Sequence, residues 1–127
     1  MKVMIGDDEE AIRMLIRDVL ERSGDGYEIY EAENGRRVLE LLPEVAPDLL
    51  LLDIVMPELS GIAVCDKVRR DPRLHRTKVV LVSGKGTDDI VMAGLSAGAS
   101  DFITKPFSPM DLLARVRKVL QDGVPVG

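Results

Sequence analysis

At 127 residues, 46% hydrophobic and 31% charged, the chain has the size of one domain, able to bury about two-thirds of the surface that its unfolded form exposes. A net charge of -5 and a pI near 4.9 exclude a broad basic nucleic-acid surface, and no apolar run approaches the roughly 20 residues that span a bilayer. The opening MKVMIGDDEE turns acidic at Asp7 and does not read as a signal peptide, while the single Cys65 excludes an internal disulfide and suits a reducing cytoplasm.

Apolar, β-rich runs alternate with helical periodicity along the chain, the order expected of βαβ units around a parallel sheet. Lys2 to Gly6 predicts the first strand. Ile12, Leu15, Ile16, Val19 and Leu20 then fall at i, i+3, i+4, i+7 and i+8, one buried face of a helix that Ser23-Gly24-Asp25-Gly26 stops. Glu28 to Glu31 mixes Ile29 and Tyr30 with two glutamates, as in an edge strand whose charge discourages pairing with another chain. Asn34 to Leu42 predicts the second helix. Leu49 to Leu52 is apolar on both faces, as a central strand covered on both sides should be, and it places Asp53 at its C-terminal end.

Ser60 is a candidate N-cap for a third helix that closes by Asp71-Pro72. Lys78 to Val82 predicts the fourth strand, running into Ser83-Gly84. Thr87 or Asp88 starts a fourth helix ending near Ala97-Gly98, and a fifth strand, Asp101 to Thr104, precedes Lys105-Pro106. The last helix has Ser108 as N-cap and Pro109 at its first position, where the missing N–H costs nothing, with a buried stripe of Leu112, Leu113, Val116, Val119 and Leu120. Residues 1–122 are read as one domain and 123–127 as a tail or the start of a linker.

In an open parallel α/β sheet, ligands bind outside the carboxyl ends of the strands. Those ends carry Asp7 and Asp8, then Asp53, Ser83 and Lys105. Each has an ordinary explanation alone: Asp7 with Glu10 has the form of a helix capping box, Ser83 before Gly84 of a turn, and Lys105 of a solvated strand end. Together, three acids on one rim repel unless a cation offsets them. Oxygen-only ligands suit Mg²⁺ better than zinc, which usually takes His or Cys. Three carboxylates, a divalent ion and one lysine sum to neutrality, a site prepared for an incoming phosphoryl group. A carboxylate is already ionised at neutral pH and attacks phosphorus without a general base, so the site needs no histidine.

Four segments in order, GDD at 6–8, LLLLDIVMPELSG at 49–61, LVSG at 81–84 and AGASDFITKPF at 97–107, resemble the receiver domains of two-component response regulators, of the chemotaxis-regulator type. The resemblance covers essentially the whole chain. It implies a flavodoxin-like, doubly wound five-stranded parallel sheet of order 2-1-3-4-5 with five helices. It implies that Asp53 is phosphorylated from the phosphohistidine of a histidine kinase or histidine phosphotransfer protein. Mg²⁺ would be held by Asp8 and Asp53 directly, by Asp7 through water and by the backbone carbonyl of Val55. Lys105 and Ser83 would bind phosphoryl oxygens, and Ser83 and Phe102 would form the switch, Phe102 turning inward as the hydroxyl moves. The Lys105-Pro106 bond is typically cis in such domains. The readout is a population shift on the surface of the fourth helix, fifth strand and fifth helix. The resemblance makes the chain a cytoplasmic phosphoacceptor that catalyses only its own phosphorylation and dephosphorylation, without direct nucleic-acid or membrane binding. Its partners would be a downstream protein or an attached output domain, with a phosphorylation-dependent homodimer also allowed.

Gly6 stands where a bulky aliphatic is common in the family, which predicts a looser first strand near the acids, and Ser83 replaces the frequent threonine. Val55 and Lys85, two positions beyond Asp53 and Ser83, are expected to retard in-line water and lengthen the phosphorylated state. Other readings fit less well. A haloacid-dehalogenase-like phosphatase needs an acid where Val55 stands, and the glycine-rich GKGT at 84–87 lacks the spacing of a nucleotide-binding loop because position 79 is Val. A phosphohistidine carrier would rest on His75 alone, which reads as a surface loop residue, and Cys65 reads as a small core side chain. A pseudo-receiver, the same fold binding proteins independently of phosphorylation, would usually have lost an acid or the lysine.

Overall fold

Four consecutive leucines offer no polar face, so a strand built from them must be covered on both sides; Leu49–Asp53 forms such a strand, β3, buried at every residue. The computed structural model describes residues 1–84 and 87–122, apart from the side chains of Asp88 and Asp122; Lys85 and the tail 123–127 lie outside the described residues. Around β3 stand β1 (Lys2–Gly6), β2 (Glu28–Ala32), β4 (Lys78–Ser83) and β5 (Asp101–Thr104), all parallel, in the order β2-β1-β3-β4-β5. Helices α1 (Glu10–Arg22), α2 (Gly35–Val45), α3 (Gly61–Arg70), α4 (Asp88–Ser96) and α5 (Pro109–Asp122) complete the flavodoxin-like architecture expected from the sequence. None of the described helices is long and apolar enough to cross a membrane.

The pleat divides the core in two. Met4, Leu50, Leu52, Val79 and Leu81 face one side with Val38 and Leu42 of α2 and Val64 and Val68 of α3, whereas Val3, Ile5, Leu49, Leu51 and Val80 face the other with Ile16 and Leu20 of α1 and Leu112 and Val116 of α5. Strand order reverses between β1 and β3, so the loops leaving their carboxyl ends part there and open a crevice at the topological switch point. Side-chain caps fix helix starts as expected: Ser60 Oγ accepts from the Ala63 N–H at 3.2 Å, and Ser108 Oγ from the Asp111 N–H at 3.0 Å.

The structure corrects three local expectations and adds one short element after α3. Helix α2 continues three residues past Leu42, through Pro43 to Val45, because a proline in the last turn removes one hydrogen bond while Val45 gains burial; Ala46, at φ 45°, then ends the helix. Leu15 lies at the margin of the α1 stripe and is exposed. Residues Pro72–Leu74 form a short 3-10 turn that buries Leu74. Gly6 does not loosen β1, since a Cβ there would come within 2.7 Å of Val38 Cγ2 and 2.9 Å of Leu52 Cδ1; neighbouring side chains already fill the space.

Gly61 ties the fold to the rim. Its N–H donates to the Ile54 carbonyl at 2.9 Å, folding the 54–60 loop back, and a Cβ at this position would lie 2.2 Å from the carbonyl oxygen of Asp53. Backbone cannot yield as a flexible side chain can. Gly61→Ala is therefore expected to lower unfolding free energy by about 2 kcal/mol or more in urea titrations, the scale of a buried overpacking strain; an unchanged midpoint would contradict this packing.

Candidate functional site

Strand register brings the chemistry together. Gly6 pairs with Leu52, Asp53 with Val82 and Ser83 with Thr104, so the residues at or just beyond these ends, Asp7, Asp53, Ser83 and Lys105, gather along one carboxyl rim. Asp7, Asp53 and Ser83 are buried, and Asp8 and Glu9 are exposed at the mouth. One carboxylate oxygen from each of Asp7, Asp8, Glu9 and Asp53 lies within 4.8 Å of the other three. Into this cluster Lys105 extends its Nζ, 3.0 Å from Asp7 Oδ2, 3.5 Å from Asp53 Oδ2 and 3.8 Å from Glu9 Oε1. The Lys105 N–H donates to the Ser83 carbonyl at 2.8 Å, and the Lys105-Pro106 bond that follows is cis.

The electrostatics are those of a crowded acid site. Burial and then the charge of Asp7 push the Asp53 carboxyl up to about 6, against the lowering effects of Lys105 and of the Val55 N–H, which donates to Asp53 Oδ1 at 3.4 Å; Asp8 adds a smaller upward push. For Lys105, burial favours the neutral amine, but the hydrogen bond to Asp7 and the charges of Asp53, Asp7 and Glu9 outweigh it and raise the pKa. Clustered carboxylate oxygens, without His or Cys among them, fit a hard divalent cation such as Mg²⁺.

Glu9 is an addition to the residues singled out in the sequence. The capping box that Asp7 and Glu10 suggest does not form: Glu9 itself occupies the N-cap position of α1, and Asp7 Oδ1 accepts the Glu9 N–H at 2.9 Å. The Asp7 carboxylate thus shapes its own loop while presenting its other oxygen to Lys105. Val55 is 62% exposed, and Phe102 is half-buried on β5 against the core that holds Leu81. Cys65 and His75 stand apart from the rim chemistry. Burial pushes the Cys65 thiol up to about 11, and His75 is exposed with its Nδ1 3.0 Å from the Pro72 carbonyl.

Comparisons with known proteins identify the family. Residues 3–117 match the family model described as the response regulator receiver domain. The phosphate regulon transcriptional regulatory protein PhoB of Pseudomonas aeruginosa is 40% identical over 119 residues, covering 94% of this chain and 51% of its own. The transcriptional regulatory protein SrrA of Staphylococcus aureus is 38% identical over 120 residues, covering 94% and 48%. The chain therefore spans about half the length of these curated relatives. The chemotaxis protein CheY4 of Vibrio cholerae superposes with a TM-score of 0.87 at 27% identity, over 93% of this chain and 97% of that one. With strand order and family model in accord, the chain belongs to the response regulator receiver domains of two-component systems.

Proposed function

We propose that this receiver accepts a phosphoryl group on Asp53 from the phosphohistidine of a histidine kinase or histidine phosphotransfer protein, in a Mg²⁺-dependent step. The observation that carries the reading is a buried carboxylate at the end of the central strand, 3.5 Å from a lysine and within a cluster of carboxylate oxygens. Asp53 attacks phosphorus, the P–N bond breaks, and the departing imidazole nitrogen keeps the electron pair and takes up a proton. Asp8 and Asp53 would hold the metal directly, Asp7 through water, with the Val55 carbonyl completing the protein ligands. When bound, Mg²⁺ supplies positive charge to the phosphoryl oxygens and to the crowded acids. Lys105 and Ser83 bind phosphoryl oxygens, Lys105 giving up part of its contact with Asp53 as the acyl phosphate forms.

Phosphorylation replaces one negative charge by roughly two on a larger group. Ser83 moves toward it, Phe102 follows inward, and the face of α4, β5 and α5 changes its affinity for a downstream protein, an attached output domain or a second copy. Relatives named as transcriptional regulatory proteins are about twice as long, which supports control of an attached domain. The chain works in the cytoplasm, modifies only itself, and touches neither nucleic acid nor membrane directly.

Acetyl phosphate labelling tests the acceptor directly. Wild type is expected to label with Mg²⁺ and not with chelator, and Asp53→Asn not at all; equal labelling of both proteins would remove Asp53 as acceptor, and labelling of neither would favour a phosphorylation-independent binding module.

Metal-free stability has a defined pH dependence. Because the folded pKa of Asp53 lies above its unfolded value, the native state holds the proton better; this stabilisation is complete below about pH 4 and is lost as pH rises through about 6. In chelator, Asp53→Asn is thus expected to exceed wild type at pH 7.5 by on the order of 2 kcal/mol in urea unfolding, and the gap should close toward pH 4.5. A pH-independent gap would contradict the burial argument.

The exposed Val55 leaves an apolar edge beside the acceptor. Val55→Asn should accelerate loss of the phosphoryl group several-fold, by orienting water that valine excludes; an unchanged rate, read by phosphate release after the donor is removed, would end that role.

A further inference from the structure

Asp7 is held through its backbone N–H by the edge of β2 and through its carbonyl by a side chain of α1. Its N–H donates to the Ala32 carbonyl at 3.1 Å, and its own carbonyl accepts from Arg13 Nη1 at 2.7 Å. Arg13 reaches back from the first turn of α1 with its side chain only 15% exposed, and its Nε lies 3.3 Å from Glu31 Oε1. Glu31 is in turn gripped from the other side by Arg17 Nε at 2.7 Å, and Arg17 also contacts Glu21 at 3.0 Å and the Ile29 carbonyl at 3.4 Å. Of these two arginines, Arg13 alone is bonded to the acidic turn.

We infer that Arg13 is a positioning residue for the metal site: braced by Glu31, it fixes the Asp7 carbonyl and thereby the angle at which Asp7, Asp8 and Glu9 present their oxygens toward Asp53. This rests on the Mg²⁺ reading given above. A helix residue holding the turn that precedes its own helix makes the acidic loop a closed, braced unit. Without that donor, a buried carbonyl between two clustered acids loses its partner and the turn is free to rotate its oxygens apart.

Charge and position make opposite predictions here. Removing a guanidinium beside an acidic cluster would, by Coulomb attraction alone, tighten cation binding; loss of positioning weakens it. The test is Mg²⁺ titration calorimetry of the full chain, alongside thermal unfolding to verify the fold. Arg13→Met is expected to weaken Mg²⁺ binding by about tenfold, the usual effect of losing a residue that orients metal ligands, whereas Arg17→Met, which also frees Glu31 from one partner, should change it by less than about twofold. Arg13→Lys, able to donate to the carbonyl again, should recover most of the loss. Binding by Arg13→Met as tight as wild type or tighter, or an equal loss in Arg17→Met, would overturn the positioning role. Should Arg13→Met fail to fold, Arg13→Gln, which keeps most of the stem but is too short to span carbonyl and carboxylate, carries the comparison with the same expected direction, and unchanged affinity overturns the role. If wild type itself binds no Mg²⁺, the metal reading falls and this inference with it, a result distinct from any difference among the variants.

Discussion

The rim of this sheet depends on the bridge that Lys105 makes between Asp7 and Asp53, two residues whose proximity is enforced by strand register and opposed by charge. Parallel pairing of β1 with β3 leaves the two carboxylates adjacent, both buried, with Asp8 and Glu9 close by. A single ammonium from the far end of the chain, 98 residues from Asp7, holds the arrangement together. The raised pKa values of Asp53 and Lys105 are two sides of that strain: the acid resists ionisation and the base resists losing its proton. Incoming cationic charge would relieve the acids, which supports the proposed metal and phosphoryl chemistry.

Rigidity around Asp53 has identifiable sources. The leucine strand has no exposed face, Gly61 packs directly on the Asp53 carbonyl, and the Ile54 N–H is held by the Val82 carbonyl at 3.1 Å. On the neighbouring strands the contacts run outward from the rim. Leu81, two residues before Ser83, pairs with Phe102 on β5, and Gly94 of α4 packs so closely on Leu81 that a Cβ there would lie 2.5 Å from its Cδ1. Leu81 thus links β4 to both β5 and α4, the packing on which the proposed switch from Ser83 relies.

Much of this was legible in the sequence because strand ends in a parallel sheet are places where residue type and location coincide. LLLLD reads as a buried strand with a charged end, and KPF after DFIT puts a cation on the same rim. The rest is set by three-dimensional packing. Helix α2 runs through Pro43 because the core rewards Val45, and the gap left by Gly6 is filled by Val38 and Leu52, contacts that no local pattern announces. Glu9 was hidden by the capping-box form of Asp7 and Glu10, although its position two residues after Asp7 suits an Asx turn. No local pattern marks Arg13; its link to Asp7 exists only once the helix folds back over the turn.

The most direct test of the account is the chemical identity of the phosphorylated residue. Borohydride reduces an acyl phosphate of aspartate to homoserine, so phosphorylated chain treated with borohydride and mapped by peptide mass spectrometry should carry homoserine at position 53 and nowhere else. Homoserine at position 7 or 8, or an intact aspartate at 53 in chain shown to hold phosphate, would contradict it.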